Sequence, residues 1–340
     1  KPMAGSLADA EAIEAAARAS GARLMLAYRL HCEPGTQAIL AAIRAGEIGT
    51  PRFFTATFAQ NVDAANHRAQ NGFWAGPIPD MGAYPINAVR NFFEAEPISV
   101  TAVASKVPER GLGCADTVSV VLSFTEGRAA SFTVSYSGDS VDRLHVVGSE
   151  GIIEANPAFG FGEGVSIDFR LTRGGKTEER THPVVDQFAG ETAYFSDCIL
   201  EDREPEPNGE EGVLDMIVIE AIERALETGQ PQALEPRRRP PDKAIGASHR
   251  VVPRFAAAIL PPMTYDIRSE RPDDAAEIRQ VVTAAFADAP HSDGTEGAIV
   301  DALRADDALT LSLVAVADGL IVGHVAFSAV TIDGRDVGWF

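Results

Sequence analysis

Seven short segments of this chain alternate apolar and polar residues, which is the pattern of half-buried β-strands. Glycine-containing turns, among them Glu126-Gly127 and Gly174-Gly175, join several of them as hairpins. The pattern predicts an open antiparallel sheet of about six or seven strands, and with its flanking helices a fold of the α+β class. The segments are 51–60, 98–105, 117–124, 129–137, 143–147, 151–155 and 165–172.

Helical periodicity lies on both sides of this strand-rich stretch. Two helices are predicted near the start of the chain, the first closed by Gly21 and the second by Gly46, with a short buried strand between them. Two longer helices follow the strands, the second with a broad apolar face. The helices are 7–20, 36–44, 190–201 and 210–228, and the buried strand is 23–28.

A second unit is predicted at the end of the chain. The stretch 229–262 carries seven prolines and the basic run Arg237-Arg238-Arg239, so it is interpreted as irregular tail and linker. From about Met263 we expect a strand, a helix with capping-box spacing at Asp274 and Glu277, a second helix, a hairpin and a last strand. These elements cover 264–268, 274–287, 295–305, 311–332 and 335–340.

Composition and charge exclude several classes of function. The 340 residues are 45% hydrophobic and carry a net charge of -20, which argues against nucleic acid or an anionic membrane as partner. No run approaches the roughly 18 apolar residues that span a bilayer, so cytoplasmic is the expected location. Cys32, Cys114 and Cys198 lie far apart, and neither they nor the histidines have metal-ligand spacing, so no metal is predicted.

Three residues could handle the proton of a substrate hydroxyl. Lys1 precedes Pro2, which biases it away from helix, and Asp80 and Tyr84 lie four apart near a predicted helix start. Oxidation of an alcohol carbon requires a base or relay with a pKa shifted toward neutrality near that oxygen. An ordinary helix cap and a half-buried tyrosine explain Asp80 and Tyr84 equally simply.

No glycine loop that would grip a dinucleotide is visible. The glycines at 111–113 and 160–164 lack the G-x-G-x-x-G register, and strands rather than helices follow them. They are interpreted as loop glycines.

Three stretches of the sequence together resemble the glucose-fructose oxidoreductase / inositol dehydrogenase (Gfo/Idh/MocA) family over about residues 1–260. They are KPMAGSLADAEAIEAAARASGARLMLAYRLHCEP, DMGAYPINAVRNFF and EPISVTAVAS. The resemblance implies a protein in which a Rossmann domain binds NAD or NADP and an open antiparallel sheet shapes the sugar site. It also implies that the sheet serves as the subunit interface of a homo-oligomer.

The resemblance also implies roles for single residues. Tyr84 would donate or accept the proton, Asp80 would orient it, and Lys1 would polarise the reacting oxygen and contact the nicotinamide. Arg29 and His31 are candidates for substrate contact, with structural packing an equal reading for His31. Arg68 lies where an arginine close to the cofactor is expected.

The second unit is similar to the opening half of GNAT-type N-acetyltransferases. The stretches that carry the similarity are MTYDIRSERPDDAAEIRQVVTAAF and VAVADGLIVGHVAFSAV. The resemblance implies acetyl-CoA as cofactor, held by a loop that would lie beyond Phe340.

Four regions are therefore predicted: a remnant of the cofactor domain with crossover helices (1–50), a substrate and oligomerisation domain (51–230), a linker (231–262) and a partial GNAT domain (263–340). We expect a fragment of an NAD(P)-dependent sugar or polyol oxidoreductase, inactive by itself in both chemistries. The alternatives are a protein whose main activity is N-acetyl transfer and a non-catalytic binding or assembly module.

Overall fold

The computed structural model describes residues 1–70, 72–162, 164–235, 266–286 and 294–328, and the backbone of 330–332 and 335–339. The chain divides into two compact units, residues 1–254 and 255–340. The linker predicted at 231–262 and the start of the second unit at Met263 fall largely or wholly outside the described residues.

A nine-stranded sheet is the centre of the first unit. All seven predicted strands are present, and two that the sequence analysis missed extend the sheet at its edges. In spatial order the sheet runs β8-β7-β6-β5-β1-β4-β3-β2-β9. The strands are β1 Pro51–Asn61, β2 Ser99–Ser105, β3 Thr117–Ser123, β4 Ala129–Ser135, β5 Ser137–Gly148, β6 Gly151–Ala155, β7 Phe169–Arg173, β8 Lys176–Arg180 and β9 Gln232–Ala233.

The prediction of a purely antiparallel sheet is wrong at one pair of strands. β1 runs parallel to β4, with Phe54 opposite Ala130, whereas the other neighbours in the sheet are antiparallel. β2 and β3 lie between β1 and β4 in the chain, so the chain crosses over before β4 is laid beside β1. Period-two alternation specifies which face a side chain takes but not which strand is its neighbour. The sheet is therefore open and mixed.

The two faces of the sheet differ in burial. The inward face is mainly apolar, with Phe54 and Val146 completely buried, and forms the core with the helices that cover it. Outward residues are hydroxyl-rich, but Phe53, Val103 and Val121 are 46%, 65% and 48% exposed. The sheet thus buries one side and leaves an exposed face with large apolar side chains on it.

Five helices accompany the sheet in the described part of the first unit. The N-terminal helix ends at Gly21 as the sequence predicts, with Gly21 in the left-handed region, and at its start the Ser6 hydroxyl accepts from the Asp9 amide at 3.1 Å. None of the helices in the described ranges combines the length and apolarity needed to cross a bilayer. They are α1 Leu7–Ser20, α2 Pro34–Arg44, α3 Ala83–Phe93, α4 Gln187–Leu200 and α5 Gly209–Thr228.

The predicted strand at 23–28 is wrong. Only Met25 makes a β-bridge, to Asn208, and the segment then enters a short 3₁₀ turn at Arg29–Cys32. The apolar run is buried against α5 rather than in the sheet, which a short apolar run cannot reveal by itself. Gly212 of α5 permits this close packing, because a Cβ there would lie 2.9 Å from Leu26 Cδ2.

The second unit contains a three-stranded antiparallel sheet, β10-β11-β12, and a separate two-stranded ladder, β13-β14. Their order along the chain with two helices agrees with the predicted strand, helix, helix and hairpin. The predicted capping box is wrong, because the Asp274 carboxylate accepts from the Arg271 amide and Glu277 accepts from the Ile321 amide. The elements are β10 Asp266–Ser269, α6 Ala275–Phe286, α7 Glu296–Ala305, β11 Leu309–Ala317, β12 Leu320–Ser328, β13 Val330–Ile332 and β14 Arg335–Trp339.

A buried arginine joins α3 to α5. Arg90 is completely buried and contacts three carboxylates: Glu96 at 2.6 Å, Glu211 at 3.2 Å and Asp215. Asp215 also accepts a hydrogen bond from the Tyr28 hydroxyl at 2.6 Å. The cluster thereby fixes the residue that directly precedes Arg29.

Removal of this cation should strongly destabilise the first unit. We expect Arg90→Met to lower the free energy of unfolding by about 3–5 kcal/mol, because three buried carboxylates lose their common partner. Urea denaturation followed by circular dichroism measures the change. The matched control is Arg44→Met, which breaks the more exposed pair of Arg44 with Glu94 (2.8 Å) and should cost no more than about 1 kcal/mol. Equal losses for the two variants would contradict the assignment.

Candidate active site

A π-helical turn directly precedes α3 and carries Asp80. It spans Ile78–Gly82, and α3 begins at the next residue, so that Tyr84 lies in the first turn of α3. The predicted helix start near Asp80 is thus replaced by a wider turn. Such turns are rare and often occur at functional sites. The side chains of Asp80 and Tyr84 are both half-buried.

Lys1 lies against this turn. Its Nζ donates a hydrogen bond to the backbone carbonyl of Asp80 and lies 4.1 Å from the centroid of the Tyr84 ring. Desolvation by burial lowers the pKa of the Lys1 ammonium to about 8, although the Asp80 carboxylate opposes the shift. The three residues that the sequence suggested for proton transfer therefore meet in one place, with Lys1 poised to change charge near neutrality.

The Asp80 carboxylate contacts two further side chains. It accepts a hydrogen bond from the Tyr136 hydroxyl at 3.0 Å and lies 3.5 Å from Nε of Arg68, which is half-exposed. Burial and the Asp80 charge raise the pKa of Tyr136, so Tyr136 remains a phenol that donates to Asp80. Asp80 consequently does not cap the helix as the spacing suggested.

Tyr136 is a site residue that the sequence analysis missed. It directly follows β4 and continues the inward series of Phe132 and Val134. It lies within the strand predicted at 129–137, and a hydroxyl on the apolar face of that strand was the signal that could have found it.

Arg29 holds the hydroxyl of Tyr84. Its Nε donates to the Tyr84 hydroxyl at 3.2 Å, and its Nη1 donates to Gln187 Oε1 at 2.6 Å and to the Gly160 carbonyl at 3.2 Å. Nη2 donates to the carbonyl of Phe159. The guanidinium is 2% exposed, so these bonds fix both its position and that of the phenol. Burial raises the pKa of Tyr84, and the charge of Arg29 partly opposes this rise.

The loop at 160–164 has a role that the sequence analysis did not assign. Besides the Gly160 carbonyl, it supplies the Phe161 ring, whose centroid lies 4.4 Å from Cζ of Arg29; the Tyr84 ring lies 4.8 Å from the same atom. The cation is therefore enclosed between two aromatic rings. These glycines serve a loop that packs on Arg29, in agreement with their interpretation as loop residues.

His31 lies in a buried polar network. Its Nε2 is 2.8 Å from Asn87 Oδ1, its ring stacks on Tyr28 at 5.8 Å between centroids, and Asn87 in turn donates to Asp215. These contacts support the packing reading of His31 rather than substrate contact.

Glu191 of α4 is a second group that the sequence analysis missed. It is 8% exposed, and burial raises the pKa of its carboxyl to about 7, while the charges of Arg29 and the Lys1 α-amino group oppose the rise. The buried residues of α4 include Gln187, Glu191, Tyr194 and Cys198, which share one helical stripe. An acidic residue on a buried stripe was the available signal. This signal was hidden because the predicted helix began at Gly190, which placed Glu191 in the first turn of a helix, where an acidic residue is ordinary.

The arrangement suits proton transfer at a polar substrate atom. It combines one amine of lowered pKa, a phenol held by a cation, and a carboxylate that orients its neighbours, all partly open to solvent. Within the described ranges no group of three or more His, Cys, Asp or Glu side chains is placed to hold a metal ion.

Comparison with known proteins identifies relatives of this chain. Residues 36–154 match the GFO/IDH/MocA C-terminal domain. The crystal structure of aldose-aldose oxidoreductase from Caulobacter crescentus superposes with a TM-score of 0.64 at 30% identity, covering 69% of this chain and 70% of that chain.

Two relatives in sequence are sugar or polyol dehydrogenases. D-xylose 1-dehydrogenase (NADP(+)) of Haloarcula marismortui is 29% identical over 235 residues, which are 67% of this chain and 65% of that protein. Inositol 2-dehydrogenase of Rhizobium meliloti is 27% identical over 234 residues, 64% of this chain and 68% of that protein. The chain thus spans about two thirds of the length of these relatives. With the domain match and the solved relative together, the chain belongs to the Gfo/Idh/MocA family.

Proposed function

We propose that residues 1–235 form the substrate-side half of an NAD(P)-dependent oxidoreductase that acts on a hydroxyl or carbonyl of a sugar or polyol. The observation that carries the proposal is the convergence of Lys1, which lies 79 residues before Asp80 in sequence, on the Asp80 carbonyl and the Tyr84 ring. Relatives in sequence that act on D-xylose and inositol support the substrate class.

The proton chemistry follows from the pKa shifts. When the alcohol carbon is oxidised, the hydroxyl proton must leave its oxygen, and Tyr84 relays it: the phenol takes up this proton while it gives its own to the neutral Lys1 amine. Burial keeps Tyr84 a phenol, so it is well suited to donate a proton to a carbonyl oxygen in the reverse direction. Lys1, with a pKa of about 8, supplies or takes up that proton at ordinary pH. Arg29 is a positioning residue that holds the Tyr84 oxygen.

A nicotinamide cofactor fits the exposed side of this group. Arg68 presents a half-exposed guanidinium, anchored by Asp80, beside the Lys1 amine, and such cations suit a ligand that carries phosphates. The cofactor would accept or return the hydride, and we propose that a dinucleotide-binding domain beyond the residues of this chain holds it. The region 1–50 then connects that domain to the sheet.

For residues 263–340 we retain the acetyltransferase proposal as the second candidate. The order of β10, α6, α7, β11 and β12 is the one expected from the resemblance to GNAT proteins. The transfer of an acetyl group would require residues outside this chain, and calorimetric titration of the chain with acetyl-CoA tests whether any affinity resides here.

We further propose that the exposed sheet face joins two copies of the protein. Val103 and Val121 are large apolar side chains that lie outward on β2 and β3, surrounded by hydroxyl side chains that would tolerate burial.

Tyr84→Phe should slow turnover by roughly 10²- to 10⁴-fold in a protein that carries this chain together with a dinucleotide-binding domain, because the acid-base group is lost. Steady-state kinetics with a sugar substrate measure the effect. The matched control is Tyr194→Phe, which removes another buried tyrosine hydroxyl, bonded to the Glu206 amide at 3.0 Å. Unchanged turnover of the Tyr84 variant would end the proposal.

Lys1 should set the pH dependence of the same protein. In the direction of oxidation, kcat/KM should rise about tenfold per pH unit below pH 8 and level off above it, because the neutral amine is the active form. In Lys1→Arg, which remains charged, the rise around pH 8 should disappear. The control is Lys106→Arg, at an exposed lysine, which should retain the profile. A profile shared by all three proteins would contradict the role of Lys1.

The double variant Val103→Lys with Val121→Lys should be monomeric if the sheet face is the interface. Multi-angle light scattering after gel filtration measures the mass. Ile199→Lys serves as control, because Ile199 is a similarly exposed apolar residue on α4, away from the sheet. A monomeric parent protein, or an unchanged oligomer in the double variant, would refute the interface.

A further inference from the structure

Glu191 has a buried oxygen without a partner. Oε1 is inaccessible to solvent and has no hydrogen-bond partner within the described residues. Gln187, one helical turn earlier on the same stripe of α4, holds Arg29. A buried acceptor that forms no hydrogen bond is costly, and such groups in native proteins call for an explanation.

The groups that act on Glu191 belong to the candidate site. Its charge interacts with Arg29, Tyr84 and Cys32. These groups come from the 3₁₀ turn after Tyr28 and from α3, so Glu191 faces the site from the side of α4.

Arg29 and Glu191 do not form an ion pair with each other. In the described part of the chain, Arg29 makes its hydrogen bonds to Tyr84, Gln187 and the carbonyls of Phe159 and Gly160, and no carboxylate lies within 4.0 Å of it. A buried cation and a buried acid thus interact electrostatically without a direct ion pair. A ligand hydroxyl that donates to Glu191 Oε1 would supply the hydrogen bond that Arg29 does not.

We propose that Glu191 is a substrate-binding residue whose free carboxylate oxygen accepts a hydrogen bond from a second hydroxyl of the substrate, next to the reacting one. The inference rests on the function proposed above and deepens it, because it selects substrates with two neighbouring hydroxyls. Simple alcohols and sugars that lack the second hydroxyl would leave Glu191 Oε1 without a hydrogen-bond donor.

The protonation state of Glu191 links binding to pH. Burial raises the pKa of its carboxyl to about 7, and a hydroxyl that donates to the carboxylate favours the ionised form. Binding of the diol near pH 7 therefore releases a proton from Glu191. The charge of Arg29 also favours the ionised form, and Tyr84 and Cys32 remain neutral at this pH, since burial raises the pKa of both.

The decisive experiment compares D-glucose with 2-deoxy-D-glucose, both reacting at C1, in the protein that carries this chain with a dinucleotide-binding domain. In the parent enzyme, loss of the neighbouring hydroxyl should lower kcat/KM by about 10- to 100-fold, the range for a hydrogen bond to a charged group. In Glu191→Leu, which has no acceptor, the two sugars should differ by less than about threefold.

A structural role for Glu191 predicts another result, in which Glu191→Leu lowers kcat/KM for both sugars by the same factor and the preference for D-glucose persists. That result would overturn the inference. It is distinct from failure of the proposed function, which would appear as unchanged turnover in Tyr84→Phe.

A second measurement needs no catalysis and uses the chain as it is. The pKa of Glu191 is higher in the folded than in the unfolded state, so its contribution to stability is complete below about pH 4.5 and is lost as the pH rises through about 7. Glu191→Gln, which cannot ionise, should therefore have a higher Tm than the parent chain at pH 8 and a similar one at pH 5. Asp197→Asn, at a half-buried acid of the same helix, is the control. An equal Tm difference at both pH values would contradict the inference.

Discussion

The buried charge of Arg90 is the constraint on which the site depends. Arg90 forms ion pairs with Asp215 of α5 and with Glu96, which follows α3. Asp215 in turn accepts a hydrogen bond from the Tyr28 hydroxyl. A lone buried guanidinium would be prohibitively unfavourable, so the carboxylates that surround it have little freedom to move. The hydroxyl of Tyr28 is thereby held in place, and the position of Arg29, the next residue, is fixed with it.

The position of Arg29 determines what the Tyr84 phenol can do. The guanidinium lies between two aromatic rings and donates to carbonyls of the 159–160 segment, so its Nε is directed at the Tyr84 oxygen. This oxygen accepts from Arg29 and still carries its own proton for a substrate. Desolvation raises the pKa of the Tyr84 phenol, and the charge of Arg29 lowers it. Arg29 has this effect because the core holds its guanidinium in place.

Local signals in the sequence were sufficient for the element types but not for their arrangement. Alternation found seven of the nine strands, and helical periodicity ending at Gly21 found α1, because both are properties of neighbouring residues. The parallel pairing of β1 with β4 depends on the path of the chain between them, and no residue in either strand specifies it. The same limit applies to the site. Lys1, Asp80 and Tyr84 were found through a resemblance, whereas Glu191 was missed because its significance depends on burial by other elements.

The candidate site keeps three titratable groups in different protonation states by environment alone. Burial brings the Lys1 amine down to about pKa 8, brings the Glu191 carboxyl up to about 7, and holds Tyr84 above its usual value. Desolvation therefore narrows the difference in pKa between the Lys1 amine and the Glu191 carboxyl until both groups titrate near neutral pH. Arg29 interacts electrostatically with all three. When a proton moves at the Tyr84 oxygen, the local charge changes, and Lys1 and Glu191 can each gain or lose a proton in response. This is the physical basis for assigning acid-base chemistry to the site.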